Sequence, residues 1–231
     1  MRFIPTAQSL TSLPNCEGFS RDLFKLAPYS HRTVTGMDAT RRTCLSQVFS
    51  LPFLPLLRQD ELAKAGRLIA KARTQIGVTL FYDPAYMALD YPGGDVPRDR
   101  GVCIDVIIRA YRDAFAFDLQ KHVHEDMAAN FGAYPNRWGL TRTDRNIDHR
   151  RVPNVETWLA RQGHEWPASD WQPGDLMTCR VGDTLPHIGI LSSRKDRSGR
   201  WKAIHNIGLG TLEDSRIWAY GQKRRFRFLP G

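Results

Sequence analysis

The sequence predicts an α+β domain, because helical periodicity occupies its middle and strand-like segments occupy its last third. Four segments carry apolar residues at helical spacing: 60–77, 103–115, 119–131 and 153–163. Four later segments are short and rich in β-branched or aromatic residues: 175–181, 187–193, 201–208 and 225–229. Helices that precede consecutive strands predict a helical layer packed on an antiparallel sheet.

Each predicted helix has one apolar face. The first face comprises Leu62, Leu68, Ile69, Ala72 and Ile76. The second comprises Val106, Ile107, Ala110 and Tyr111, and the third Leu119, Val123, Met127 and Phe131. Between the helices, residues 78–83 are strand-like, residues 91–101 form a Gly- and Pro-rich loop, and residues 134–151 form a long polar surface loop.

Residues 1–57 differ from the rest and are predicted to be an N-terminal leader or arm, whereas residues 58–231 form one domain. From Met37 onward, two arginines precede an apolar stretch, a pattern similar to a twin-arginine export signal. Cys44 stands where that signal usually has a large apolar residue, and residues 1–36 precede Met37. An export signal and an arm with a short apolar docking segment both fit the pattern. The stretch is too short and too interrupted by proline to span a bilayer.

The charge balance is basic but dispersed. The 231 residues carry a net charge of +9, and 42% of them are apolar, which is globular composition. Such a charge suits nucleic acid, an anionic membrane or an acidic polymer such as a cell wall. The basic clusters are short and are not interleaved with aromatic residues: 41–42, 150–151 and 223–225. A nucleic-acid partner is therefore not predicted.

The four cysteines, at positions 16, 44, 103 and 179, are widely spaced and contain no Cys-x-x-Cys motif. A structural zinc site is therefore not predicted. A disulfide between Cys103 and Cys179 remains open at this stage, although a chain of this length does not need one.

Cys103 is the candidate nucleophile, because it follows Gly101 at the start of a predicted helix. The unpaired N–H groups of a first helical turn are expected to lower a thiol pKa from ~8.5 toward neutrality. Gly101 is expected to allow a substrate backbone to approach closely. A buried structural cysteine is the alternative interpretation.

Two histidines are candidates to assist the thiol. His187 and His205 lie in adjacent apolar strands, and a turn near Asp196 would bring their rings close to opposite one another. His187 would act as general base, and His205 would orient it. A rival cluster of His122, His124 and Asp126 would instead suggest a metal-dependent hydrolase.

These features resemble a known superfamily. A cysteine at a helix start, "QPGDL" opening the sheet, "HIGIL" and then "AIHN" are similar to the NlpC-type branch of the papain-like cysteine peptidases. More narrowly, "YPGGDVP", "GVCIDVIIRAYR", "VHEDM", "DRNIDHRRVPN" and "IHNIG" resemble a bacterial YijF-like domain of unknown function. The resemblance extends from about Leu62 to the C-terminus and implies a papain-like fold.

The resemblance also implies residue roles. Cys103 matches the nucleophile, His187 the base and His205 the orienting residue. Ile104 and Asp105 replace the usual serine-glycine pair, and Asp105 would oppose thiolate formation unless it turns away to bond loop backbone. Tyr82 is a candidate oxyanion donor or a core residue. The charged loop offers candidate substrate-groove residues, or a salt-bridged surface: Asp144, Arg145, Asn146, Asp148, His149, Arg150 and Arg151.

The implied activity is cleavage of an amide in peptidoglycan, either between stem residues or between sugar and stem peptide. No cofactor or metal is implied. The expected partner is peptidoglycan, with peripheral wall association at most, in the periplasm or outside the cell. A secreted toxin would add a delivery or immunity partner. The alternatives are a cysteine acyltransferase or transglutaminase-like enzyme, and a non-catalytic wall-binding module.

Overall fold

The computed structural model describes the backbone of residues 53–231 and side chains from residue 58. The predicted leader or arm over residues 1–57 therefore lies almost wholly outside the described residues. The described part contains four α-helices: α1 (Phe53–Arg73), α2 (Cys103–Phe115), α3 (Leu119–Ala129) and α4 (Val152–Arg161). Its short 3-10 helices are Phe131–Ala133, Asp148–Arg150 and Arg216–Ala219.

The described strands form two sheets. Their bounds are β1 (Phe81–Tyr82), β2 (Arg100–Gly101), β3 (Glu165–Trp166), β4 (Leu176–Val181), β5 (Leu185–Lys195), β6 (Trp201–Asn206), β7 (Thr211–Asp214) and β8 (Gly221–Phe226). The main sheet has the order β3-β8-β4-β5-β6-β7, and its pairs are antiparallel. The short β1 and β2 pair in parallel. The α+β class predicted from the sequence is confirmed.

Helix α2 forms the centre of the core, because nine consecutive residues from Cys103 to Tyr111 are buried. One side of the helix packs toward Ile188 and Ile190 of β5, within a single apolar cluster. The other face of the sheet has its own smaller cluster, which includes Cys179 and Leu191. Side chains alternate along β5, so its two faces serve two different cores.

The predicted face of α1 is partly correct. Leu68, Ile69 and Ala72 are buried, as predicted. Leu62 is exposed although it lies within α1, and Ile76 is exposed in the turn that follows the helix. The helix also begins earlier than predicted, at Phe53.

Three further predictions need correction. Phe131 lies outside α3, which ends at Ala129, and belongs to a 3-10 turn. The predicted surface loop is partly internal, since Asp148, His149 and Arg150 are buried in a 3-10 turn. The strands β3 and β7 were not predicted, because each is too short or too polar to show strand alternation.

No helix within residues 53–231 combines the length and the apolar character needed to cross a membrane. The fold instead brings the N-terminus of α2 against the β5–β6 region of the main sheet, where the candidate catalytic residues lie.

Candidate active site

Cys103 is the first residue of α2, and only 3% of its surface is exposed. The backbone N–H groups of Ile104 and Ile188 lie near its sulfur and act to lower the pKa of the thiol. The first of these belongs to the helix and the second to β5. The thiol therefore lies between the helix start and the peptide bond that follows His187.

The expected lowering of the Cys103 pKa is wrong for this closed structure. Burial raises the pKa of the thiol to about 12, although the two backbone N–H groups act in the opposite direction. The nearby Asp105 carboxylate raises the pKa further. Desolvation of a thiolate outweighs the helix N-terminus because Cys103 is almost completely buried. The resting group is therefore a neutral thiol.

Asp105 turns toward loop backbone, as the sequence predicts, and it also forms an ion pair that was not predicted. Its Oδ2 accepts from the N–H of Val102 at 2.7 Å, which satisfies the residue that precedes the helix. Arg150 donates Nε to Asp105 Oδ1 at 2.9 Å and Nη2 to Oδ2 at 3.0 Å. Arg150 neutralises the carboxylate, and Asp105 does not line the cavity that reaches Cys103.

Gly101 has a different role from the predicted one. Its φ is +149°, and a Cβ there would lie 2.9 Å from Asp105 Oδ2. The glycine thus permits the Asp105 carboxylate, rather than a substrate backbone, to approach the chain. Its carbonyl oxygen accepts from Nδ2 of Asn206 at 2.9 Å, which ties the helix start to β6.

His187 and His205 form the predicted pair. Nε2 of His187 lies 2.8 Å from Nδ1 of His205, and both rings are buried. The strands pair Ile190 with Ile204, so the two histidines are diagonal neighbours rather than directly opposite. The rings still meet because diagonal cross-strand positions are within reach of aromatic side chains.

Asp214 of β7 extends the pair to a chain of three groups. Its Oδ1 lies 3.1 Å from Nε2 of His205. Hydrogen bonds from His205 and Arg216 hold the pKa of Asp214 well below its usual range, despite partial burial. Asp214 was missed because β7 was not predicted.

The hydrogen-bond chain assigns the tautomers of the neutral rings. The Asp214 carboxylate only accepts, so His205 donates Nε2–H and accepts at Nδ1. His187 must then donate Nε2–H to His205, which leaves Nδ1 of His187 with a lone pair. Burial lowers the pKa of His187 to about 3, and the neighbouring His205 acts in the same direction. His187 is therefore a neutral imidazole with Nδ1 as its basic atom.

The Cys103 thiol and the His187 imidazole are not hydrogen-bonded to each other. The backbone N–H of Ile188 lies near the Cys103 sulfur, and His187 is the preceding residue. The His187 ring projects from the face shared with its β4 partner Cys179, and it lies 6.2 Å from the Tyr220 ring. Within the described residues, Nδ1 of His187 has no hydrogen-bond partner.

A cavity of about 310 Å³ reaches Cys103. Tyr82 and Arg150 also line it, as the groove prediction requires, together with Arg151. The remaining lining is apolar: Pro84, Val102, Trp138, Ile147, Val152, Pro153, Leu185 and Pro186. Burial raises the pKa of Tyr82 to about 12, so its hydroxyl keeps its proton at neutral pH.

The other candidate groove residues lie elsewhere. Asp144 and Asn146 line a separate cavity of about 530 Å³, where Tyr86 bonds to both. Asp148 is buried and accepts from His124 at 2.9 Å and from the Asp144 N–H at 2.8 Å. Burial raises the pKa of Asp148 and lowers that of His149 to about 4. These two residues do not line the cavity at Cys103.

The side chains of the rival metal cluster are engaged separately. His122 stacks on Phe117 with ring centroids 4.2 Å apart, and His124 pairs with Asp148. Asp126 accepts from Tyr134 and from Arg161. No group of three potential metal ligands occurs among the described residues. Cys103 and Cys179 are both free thiols, so the disulfide left open above is not formed.

The fold and site together define an α+β domain with a buried cysteine at the start of α2 and a buried His-His-Asp chain across β5, β6 and β7. The chain belongs to the family described as Domain of unknown function (DUF1287), which matches residues 69–228. It is 52% identical over 161 residues to the uncharacterized protein YijF of Escherichia coli (strain K12). The aligned region covers 68% of this chain and 78% of that relative. The YijF-like assignment made from the sequence is therefore confirmed.

Proposed function

We propose that this protein is a cysteine-dependent amide hydrolase with a papain-like, NlpC-type active site that cleaves peptidoglycan stem peptides. The observation that carries the proposal is the hydrogen-bond chain from Asp214 through His205 to His187, next to the strand residue that contacts the Cys103 sulfur. If His187 and His205 had only a structural role, they would not need the Asp214 carboxylate, which fixes Nδ1 of His187 as the basic atom.

The proposed reaction has two halves. The Cys103 sulfur attacks the amide carbon while its proton passes to Nδ1 of His187, directly or through one water. The C–N bond breaks as His187 returns that proton to the leaving amine. Water, deprotonated by His187, then hydrolyses the thioester and restores the thiol.

The backbone N–H of Cys103 supports the developing oxyanion, because a first helical residue has no carbonyl partner within its own helix. Tyr82 is the proposed second donor, since it lines the cavity and holds its proton. Tyr82 is placed there by β1, in which it pairs with Gly101.

Because the Cys103 thiol and the His187 imidazole are both neutral in the resting protein, His187 is proposed to act as a general base during the attack. A thiol pKa of about 12 and an imidazole pKa of about 3 correspond to a neutral pair rather than a thiolate–imidazolium pair. Proton transfer must therefore accompany attack on the substrate. For this transfer, Nδ1 of His187 must approach the sulfur when substrate binds, since the His187 ring shares a sheet face with Cys179 whereas Ile188 packs in the same core as Cys103. Catalytic hydrogen bonds often shorten only on binding.

The choice of peptidoglycan rests on charge and on the NlpC resemblance. Stem peptides carry free carboxylates, and a chain with a net charge of +9 is electrostatically complementary to them. A wall substrate requires a periplasmic or secreted protein, in keeping with the export signal proposed within residues 1–57. Fusion of residues 1–57 to a reporter that is active only after export tests that part of the proposal.

The decisive experiment is mass spectrometry of muropeptides after incubation of sacculi with the protein. We expect new fragments with wild type and none with Cys103→Ala. Cys179→Ala is the matched control, because Cys179 is also a buried free cysteine but does not line the cavity that reaches Cys103. Fragments that persist in Cys103→Ala refute the mechanism, and the mass of each fragment identifies the bond that is cut.

The apolar walls of the cavity favour one second candidate, a cysteine acyltransferase. An apolar site can exclude water and pass the acyl group from Cys103 to an amine. Adding a primary amine to the assay separates the two functions. A hydrolase yields mainly free acid, whereas an acyltransferase yields the amine adduct and little acid.

A further inference from the structure

The cavity at Cys103 contains one positive charge that the protein does not neutralise. Four of its lining residues carry ionisable groups: Tyr82, Cys103, Arg150 and Arg151. The first two are neutral, and Arg150 is paired with Asp105. No carboxylate lines this cavity among the described residues. Arg151 is therefore the source of its net charge.

The guanidinium of Arg151 lacks polar partners. Within residues 58–231 it makes no ion pair and no hydrogen bond, and its Nη1 is closed to solvent without a partner. Burial lowers the pKa of Arg151, although the Asp148 and Asp144 carboxylates act from a distance in the opposite direction. An unsatisfied buried donor on a cation destabilises the empty protein.

The guanidinium is also held in a fixed place. Its carbon lies 4.1 Å from the centre of the Trp138 ring, and Trp138 lines the same cavity. Stacking on an aromatic face fixes the plane of the guanidinium, and its N–H groups, which lie in that plane, remain free of protein partners within residues 58–231. The adjacent Arg150 cannot serve this purpose, because both N–H groups facing Asp105 are already used.

We propose that Arg151 binds a free carboxylate of the substrate next to the amide that Cys103 attacks. This inference rests on the proposed function for its reaction but not for the binding itself. The substrate class is a peptide with a side carboxylate close to the scissile amide, and the apolar walls contact the rest of the peptide. Trp138 positions Arg151 and does not contact the carboxylate.

The test uses Cys103→Ala protein, which binds substrate without cleaving it. A stem tripeptide with its D-glutamate α-carboxyl group free is compared by calorimetry with the same peptide amidated there. We expect the free acid to bind about tenfold to a hundredfold more tightly, as a charge-assisted hydrogen bond allows. Arg151→Gln should abolish this preference and leave the affinity for the amide almost unchanged, and Arg151→Lys should restore part of it.

Arg197→Gln is the matched control, because Arg197 is an exposed arginine in the turn between β5 and β6. Arg197→Gln removes the same charge, but the protein should still bind the free-acid peptide more tightly than the amidated peptide. If Arg151→Gln weakens the binding of the free-acid peptide and of the amidated peptide equally, the proposal is overturned. Inorganic phosphate that competes as well as the free-acid peptide would overturn the peptide assignment. A preference that depends on Arg151, with no cleavage by wild type, would refute the hydrolase proposal while supporting this one.

Discussion

Arg150 and Asp105 form a two-bonded ion pair that is almost closed to solvent, with side chains 2% and 3% exposed. Arg150 also donates to the carbonyl oxygens of Ala85 and Asp83, at 3.0 and 3.3 Å. One guanidinium thus connects the start of α2 to the segment that follows Tyr82. The ion pair fixes the geometry of the cavity as well as the charge next to the thiol.

The first prediction concerns the stability of this pair. Arg150→Ala leaves the Asp105 carboxylate buried and unpaired, so we expect a loss of about 3–5 kcal/mol in the free energy of unfolding. Urea denaturation measures it. The double variant Asp105→Ala/Arg150→Ala should lose less than the sum of the two single variants.

The matched comparison is Arg98→Ala. Arg98 makes the same two-bonded contact with Asp113, but its side chain is 50% exposed. We expect this change to cost less than about 1 kcal/mol. Similar losses for the two arginines would contradict the assigned role of burial.

The second prediction concerns pH. His187 and His149 have folded pKa values lowered by burial to about 3 and about 4, whereas an unfolded histidine has a pKa of about 6.5. The unfolded chain therefore binds protons first as pH falls below 6.5. Stability should be full above that pH and decline below it, by up to about 1.4 kcal/mol per pH unit for each histidine.

Urea denaturation between pH 7 and pH 5 separates this effect from the titration of most carboxylates. His149→Gln should remove a large part of the pH slope, since His149 is one of the two histidines whose pKa is lowered furthest by burial. A slope that is unchanged in this variant would show that His149 does not titrate as its burial requires.

The third prediction concerns Asp214. Asp214→Asn offers His205 a group that can donate as well as accept, so the basic Nδ1 of His187 is no longer assured. We expect kcat to fall about 10²- to 10⁴-fold on muropeptide substrates, as in other triads that lose their orienting carboxylate. KM should change little, because Asp214 does not line the cavity.

The control for Asp214 is Arg216→Gln. The Arg216 side chain bonds to the other carboxylate oxygen, Oδ2, and does not contact either histidine. Its backbone N–H donates to Oδ1, and this bond is kept in the variant. Loss of the guanidinium should leave kcat within about tenfold of wild type. A rise in KM with unchanged kcat in Asp214→Asn would exclude Asp214 as a positioning residue.

The fourth prediction concerns the thiol. Since burial raises the pKa of Cys103 to about 12, alkylation of Cys103 by iodoacetamide should be slow at pH 7 and should accelerate steadily up to pH 10. Peptide mass spectrometry after timed quenching gives the rate at this site. A rate plateau between pH 5 and pH 8 would reveal a thiolate–imidazolium pair and would contradict a resting neutral pair.

The sequence was informative where a local pattern corresponds to a structural element. The apolar spacing of residues 103–115 predicted α2, and the "HIGIL" and "AIHN" segments predicted two strands whose histidines meet. It was less informative for residues 134–151, because charged residues are normally solvated and nothing local indicates that Asp148 and Arg150 are buried. The third member of the chain, Asp214, lies in a strand recognisable only by its pairing with β6.

The sequence by itself determined the α+β class, the helix that begins at Cys103 and the YijF-like family, because periodicity and motif spacing are properties of the chain. The tertiary structure decided the state of the groups at the site. The helix N-terminus favours a thiolate, but burial makes the thiol neutral, and the charge of Asp105 acts in the same direction. Desolvation depends on which distant segments cover a group, and the apolar cluster that buries Cys103 includes Ile188 and Ile190 of β5.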